Sequence, residues 1–161
     1  MASATIEVET TRDIARQFLR HRSFSFQEFS QRYANPNDME NSFVVRETRL
    51  QDTKNRQNSI DCDDDELAIA WGAKQSMIIH EAKMAYKWAI ENGIAKEQAR
   101  SVLPEGNTVS RLYANGTIRS WIHYVELRSA NGTQKEHMEL AREIGNAITR
   151  IFPMIEDFIN T

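Results

Sequence analysis

Residues 66–93 read ELAIAWGAKQSMIIHEAKMAYKWAIENG, a stretch with no proline and only Gly72 inside it before Gly93. Leu67, Ala70, Trp71, Met77, Ile78, Met84, Ala85 and Trp88 fall near helical spacing. That spacing predicts a helix from Glu66 to Asn92 with those side chains as its apolar stripe. Gly93 suits its end. Just upstream stands an acidic run, Asp61 and Asp63 to Glu66, and negative charge is favoured at a helix N-terminus by the macrodipole. A calcium loop would need alternating ligands and a glycine turn, and the run has neither.

Working outward, Thr5 to Thr10 alternates apolar and polar residues, which predicts a half-buried strand. A strand that close to the first residue needs a neighbour, either an upstream segment or a later strand. A short helix follows, capped by Thr10 or Thr11, with Ile14, Phe18 and Leu19 at helical spacing. Arg20 to Tyr33 is polar and aromatic without a strong period and reads as an ordered loop. Phe43 to Leu50 is rich in strand formers, and Gln51 to Asp65 reads as a polar loop. Beyond the long helix, a short one from Lys96 to Val102 stops before Pro104. Asn107 to Tyr113 reads as a strand, and Thr117 to Leu127 as a helix with Trp121, Ile122 and Val125 inward. Asn131-Gly132 breaks the chain. Thr133 then caps a last helix carrying Met138, Ala141, Ile144, Ile148 and Ile151, interrupted at Pro153. The sum is an α+β fold: a small antiparallel sheet packed with several helices, including a long central one, as a single domain over residues 1–161.

The chain has 161 residues, a formal net charge of -3 and one cysteine. A lone Cys62 excludes an intramolecular disulfide and a multi-cysteine metal site, so a reducing, cytoplasmic setting is expected and no metal. No run approaches the roughly 18–20 apolar residues of a membrane span. The first residues carry no leader signature. The acidic balance argues against broad coating of nucleic acid.

The densest polar constellation is Arg16-Gln17, Arg20-His21-Arg22, Glu28, Ser30 and Arg32. Guanidinium forks suit phosphate and carboxylate, and crowding them is costly unless an anion lies among them. Two readings stand at this point: a site for a phosphate-bearing ligand, or a solvated basic face. The interleaved Phe18, Phe24, Phe26 and Phe29 tie the segment to a packed surface. A nucleic-acid-binding helix over Arg12 to Arg32 fits less well with Gln17, Glu28 and Ser30 set among the cations. Arg100 and Arg128 each sit at a helix end, where a cation is favoured by the dipole alone. Other templates fail. His80 lies on a polar side, and His137-Met138-Glu139 is no HExxH pattern. No GxSxG, Walker loop or GxGxxG occurs, and Cys62 sits among acids, which disfavour a thiolate. An enzyme with no protein nucleophile would leave the difficult chemistry to a cofactor.

Arg20-His21-Arg22, seven residues and then Ser30 resembles the R-H-R-x7-S signature of the flavin-dependent thymidylate synthases, the ThyX family. Ala15-Arg16-Gln17 and Glu28-Phe29-Ser30-Gln31-Arg32-Tyr33 extend the resemblance on both sides. Asn55 to Ser59, Ala99 to Pro104, and Leu127-Arg128 followed by Gln134-Lys135-Glu136 add to it in family order. The resemblance implies reductive methylation of dUMP to dTMP with FAD, NADPH and methylenetetrahydrofolate. It implies dUMP contacts at Gln17, Arg20, Glu28, Phe29, Ser30, Gln31, Arg32, Arg100 and Arg128. Arg128 would be catalytic, acting on the pyrimidine N3–O4 edge. Flavin contacts are implied at Arg20, His21, Arg22, Glu28, Thr117, Arg119 and His123, with Thr117 standing where many members have asparagine. The family also implies a homotetramer with shared active sites, in which Glu28 to Arg32 and Arg128 serve, at least in part, a site other than that of their own Arg20 to Arg22. Members carry a further N-terminal portion, with a histidine-containing segment that helps hold flavin, before the strand that is here Thr5 to Thr10. The resemblance thus implies a chain lacking that portion. The alternative is a truncated, non-catalytic homologue that binds dUMP or flavin only.

Overall fold

The computed structural model describes residues 2–30 and 42–159. The chain starts with β1 (Ser3–Thr11), α1 (Arg12–Phe18) and β2 (Ser25–Glu28), continues through β3 (Arg49–Gln51) and β4 (Ser59–Asp61), and enters α2 (Asp65–Glu91). After α3 (Lys96–Ala99) and a 3-10 turn come β5 (Val109–Thr117), α4 (Ile118–Ser129), α5 (Lys135–Ile151) and the short α6 (Glu156–Ile159). β5 is the middle of a three-stranded antiparallel sheet of order β1-β5-β2. The neighbour that β1 needs is therefore a later strand, paired from Ser3↔Thr117 to Thr11↔Val109.

Alternation decides the two faces of this sheet. Val8, Leu112 and Ala114 turn inward and are buried. Glu7, Glu9, Arg111 and Tyr113 turn outward, where Arg111 pairs with Glu7 at 3.2 Å and with Glu9. The inner face is covered by α1, α4 and α5, whose Phe18, Trp121, Tyr124, Val125, Ile144 and Ile148 form one core with it. The Trp121 indole reaches the Ala4 carbonyl at 3.2 Å, so this large side chain is buried without an orphaned donor. Gly116 is the close approach: a Cβ there would lie 2.4 Å from the edge of the Phe24 ring.

Several sequence expectations need correction. The segment Arg20–Tyr33 is not loop throughout, because Ser25–Glu28 is a strand pairing with β5. Phe24 and Phe26 alternate with Ser25 and Gln27, a period hidden by its shortness; Tyr33 lies outside the described residues. Phe43–Leu50 is mostly not strand. Only a Phe43↔Thr108 bridge and Arg49–Gln51 pair. Between them Gln75 of α2 stands in for a strand partner, accepting from the Arg46 amide at 2.9 Å and donating to its carbonyl at 3.0 Å. The polar loop after residue 51 contains β4, which closes a hairpin with β3. Asp52 braces that turn by accepting from the amides of Lys54 and Asn55.

α2 has the expected length, with Asp64 as its side-chain cap to Leu67 and Gly93 at φ 76° beyond its end. Its inner face differs from the expected stripe. Gln75, Ile79, Ala82, Tyr86 and Ala89 are buried, whereas Leu67, Trp71, Met77, Ile78, Met84 and Trp88 are exposed. Ala70 and Ala85 are exposed too. α4 begins as expected at Thr117, whose hydroxyl accepts from the Ser120 amide at 3.2 Å. In α5 the cap position is Gln134 rather than Thr133 and makes no side-chain cap, and Ile151 is exposed. Among the described residues, no helix is long and apolar enough to cross a membrane.

Candidate active site

α1 buries Ile14, Ala15 and Phe18, which leaves Arg12, Arg16 and Gln17 pointing away from the core. Arg12 and Arg16 are like charges one helical turn apart, and two carboxylates answer them. Glu28 of β2 lies 3.2 Å from Arg12 and also accepts from Ser110 at 3.0 Å. Glu105 takes both nitrogens of a bidentate Arg16 contact, at 2.5 and 3.0 Å, and reaches Arg12 at 3.3 Å. The hydrogen bond from Arg16 holds the Glu105 carboxyl below the usual carboxylate range. The same pair raises the Arg16 guanidinium.

Farther along, the pattern changes. Gln17, Arg20 and Arg128 join Asp13, Arg16 and Glu105 around a cavity of about 780 Å³, within the size range of small-molecule sites. Among the described residues, no carboxylate closes an ion pair with Arg20, Arg22, Arg119 or Arg128. Arg128 comes from the last turn of α4, and its Nε donates to His21 Nε2 at 2.9 Å. Burial, then Arg128 and His123, push His21 down to about 4, so its ring is neutral and can accept that bond. The terminal nitrogens of Arg128 have no protein partner among the described residues. Gln17 donates from Nε2 to Gln134 at 2.7 Å.

A second cleft, of about 540 Å³, lies along α4 and is lined by Ser23, Arg119, Ser120, Ile122, His123 and Glu126. Arg119 and His123 are exposed and one helical turn apart, and Arg22 is exposed beside Ser23. Cations without internal partners beside a cleft walled by Ile122 fit a ligand that combines phosphate with a flat ring system. Thr117 is occupied as the α4 cap, with Ser120 Oγ at 2.9 Å as well.

Other expected site residues are not brought to these cavities. Arg100 donates to the Glu97 carbonyl at 3.4 Å and lines neither. The Phe29 amide is tied to the Arg111 carbonyl at 2.8 Å, on the β5 edge. Ser30 lines neither cavity, and Gln31 and Arg32 lie outside the described residues. A groove of about 470 Å³ beside β1 is lined by Glu9, Glu47, Glu136 and Glu139 with Arg46, a charge balance unsuited to an anion. Among the described residues, no group of potential ligands could hold a metal ion.

Three contributors escaped sequence reasoning. Glu105 could only be matched with Arg16 through the fold. Tyr124 and His137 are fully buried behind Gln17. The signal for His137 was present, since it falls in step with Ala141, Ile144 and Ile148, the buried row of α5.

Residues 1–154 match the family described as thymidylate synthase complementing protein. The chain belongs to that family. A probable flavin-dependent thymidylate synthase of Paramecium bursaria Chlorella virus 1 is 47% identical over 154 residues, covering 96% of this chain and 69% of the viral one. A flavin-dependent thymidylate synthase of Synechocystis sp. is 48% identical over 156 residues, covering 96% of this chain and 70% of its own length. Among solved structures, the UMP/dUMP methylase PolB of Streptomyces cacaoi, bound with 5-Br UMP, superposes with a TM-score of 0.85 at 25% identity. It covers 98% of this chain and 73% of PolB. The family expected from Arg20-His21-Arg22 and Ser30 is the one found, and the expected α+β class with a small antiparallel sheet is the fold that this methylase shares.

Proposed function

We propose that the chain catalyses the reductive methylation of dUMP to dTMP, with FAD as cofactor and NADPH and methylenetetrahydrofolate as co-substrates. The carrying observation is the division of the arginines: Arg12 and Arg16 are neutralised by Glu28 and Glu105, whereas Arg20 and Arg128 face a shared cavity with no carboxylate of their own. Positive charge left without an internal partner beside a cavity suits an anionic ligand. The names of the relatives supply its identity.

Arg128 is the catalytic residue in this proposal. Its Nε is held by His21, so the fork has one orientation and its terminal nitrogens are free for the pyrimidine N3–O4 edge. A fixed cation there stabilises charge on the ring as C5 becomes nucleophilic. His21 stays neutral and takes no charge from Arg128. Gln17 and Arg20 bind dUMP in the same cavity. Arg100 binds it as well, and Glu28, Phe29, Ser30, Gln31 and Arg32 bind it from another copy of the chain, in a homotetramer with shared active sites. Arg128, which the family resemblance grouped with Glu28 to Arg32, instead lies beside His21 and Arg20 of its own chain. The exposed Trp71, Met77, Ile78, Met84 and Trp88 of α2 give such an assembly an apolar surface to bury. Arg20, His21, Arg22, Glu28, Thr117, Arg119 and His123 hold the flavin, which when bound supplies the hydride. Cys62 lies outside both clefts and serves no step.

The test is a visible absorbance spectrum of the purified protein with added FAD, before and after gel filtration, followed by dUMP titration and a thymidylate assay. A flavin band that survives filtration, shifts with dUMP and accompanies product formation is the expected result. Retained dUMP or flavin without product would identify a non-catalytic binding homologue. In an active protein, Arg128→Ala should lower turnover by about 10²–10³-fold with flavin still bound. Near-normal activity would remove Arg128 from its role.

A further inference from the structure

Behind Gln17, two buried polar groups, Tyr124 and His137, have no part in the mechanism above. His137 of α5 is fully buried. Its Nε2 lies 3.1 Å from the Tyr124 hydroxyl and its Nδ1 lies 3.2 Å from Gln17 Oε1. Gln17 Nε2 in turn donates to Gln134 Oε1 at 2.7 Å. Gln17 Oε1 can only accept, so the single imidazole proton sits on Nδ1 and donates to it. Nε2 is then an acceptor and receives a hydrogen bond from the Tyr124 hydroxyl, which burial keeps protonated. Burial, then Arg128 and His21, push His137 down to about 4, so a second ring proton is absent near neutrality. Tyr124, His21 and Arg128 are the titratable and charged groups around it.

We propose that His137 is a positioning residue: it holds the Gln17 amide with its oxygen toward the core and its NH₂ toward Gln134 and the cavity, so that Gln17 meets the substrate as a hydrogen-bond donor. A glutamine amide on the surface turns freely and can offer either end. Tied at Oε1 by an imidazole that is itself oriented by a buried tyrosine, it offers one end only. The ligand atom it meets is then an acceptor, a carbonyl or phosphate oxygen, and a group presenting N–H at that point would leave two donors facing each other. This inference rests on dUMP as the ligand of the cavity.

Calorimetry of dUMP binding to the unaltered chain and to His137→Asn, His137→Gln, Gln17→Ala and the Gln17→Ala/His137→Gln double variant tests it. Asparagine places an NH₂ near the position of Nδ1 and keeps the donor to Gln17; glutamine reaches past it toward Tyr124. His137→Gln should weaken dUMP binding about tenfold, the scale of one misdirected hydrogen bond, while His137→Asn stays within about twofold. In the Gln17→Ala background His137→Gln should add nothing, because His137 acts through Gln17. Equal losses in His137→Asn and His137→Gln, or an undiminished loss without Gln17, would overturn the proposal and reduce His137 to packing. Independently of any ligand, ¹⁵N NMR of the imidazole at pH 7 should show the neutral Nδ1–H tautomer; an Nε2–H tautomer or an imidazolium would overturn it. If the unaltered chain failed to bind dUMP while the Nδ1–H tautomer was present, the substrate assignment would fall and the amide orientation would stand.

Discussion

α2 and α5 are the two longest helices, and they use their apolar residues in opposite ways. α5 turns Ala141, Ile144 and Ile148 into the core under the sheet. α2 presents Trp71, Met77, Ile78, Met84 and Trp88 to the outside and packs on its own chain through Gln75, Ile79, Ala82, Tyr86 and Ala89. A helix that is apolar on both sides has two surfaces to bury. The contrast teaches that α5 is a helix of the subunit, whereas α2 is shaped for a second surface as well.

The sharpest way to break this comparison is to cut one apolar side chain from each helix. Ile148→Ala should cost about 2–5 kcal/mol in thermal or denaturant unfolding, as for a large-to-small change at a closed core site. Replacing Met84 and Trp88 together by glutamate should leave the subunit folded by circular dichroism but lower its sedimentation coefficient, since charge on a shared apolar face opposes assembly. Unchanged sedimentation, or a loss of fold comparable to that of Ile148→Ala, would put α2 in the same class as α5.

Smaller in effect, the buried polar groups of the two helices separate them again. Gln75 of α2 is only 4% exposed and serves Arg46 and Asn107 with hydrogen bonds of 2.9–3.0 Å. Gln75→Ala leaves the Arg46 amide and carbonyl without those partners and should cost about 1–3 kcal/mol. His137 of α5 is linked to pH instead. The unfolded chain protonates this ring below about 6.5, whereas the folded chain resists protonation until about 4. The unfolded state therefore holds the extra proton between those values, and stability rises with pH across that window. It is complete above 6.5 and falls as the pH drops toward 4, with a loss of about 2 kcal/mol at pH 5 from His137. Melting curves at pH 7 and pH 5 measure it, and the difference should shrink in His137→Asn.

How much of this was legible in the sequence depends on whether the deciding partner is local. The strand at Thr5–Thr10, the start of α4 near Thr117 and the inward Trp121 and Val125 rest on near neighbours and stood clear in the order of residues. Period failed for α2, because two stripes run along it at helical spacing and nothing local says which faces the subunit. It failed again at Arg46, where a glutamine side chain from another element replaces a strand. For the candidate site, Arg20 and His21 stood out through the R-H-R motif and Arg128 through a separate block, and the fold brings the three side by side. The pairing of Glu105 with Arg16 was not, since 89 positions separate them. Gln17 was visible, but what orients it lay in a row read only for its apolar members.

The last prediction concerns the ends of the two helices. Asp64 accepts from the Leu67 amide at 2.9 Å at the start of α2, while Gln134, at the same position before α5, makes no side-chain cap. Asp64→Ala should therefore cost about 1 kcal/mol, read as a small drop in melting temperature. A comparable change at Gln134 should cost less through helix capping and more through the site, because its oxygen is committed to Gln17. Gln134→Ala should accordingly leave the melting temperature nearly unchanged and weaken dUMP binding. If instead Gln134→Ala destabilised the fold as much as Asp64→Ala while dUMP binding held, the start of α5 would be a structural cap like that of α2. The polar file from Gln134 through Gln17 to His137 would then owe its order to folding alone.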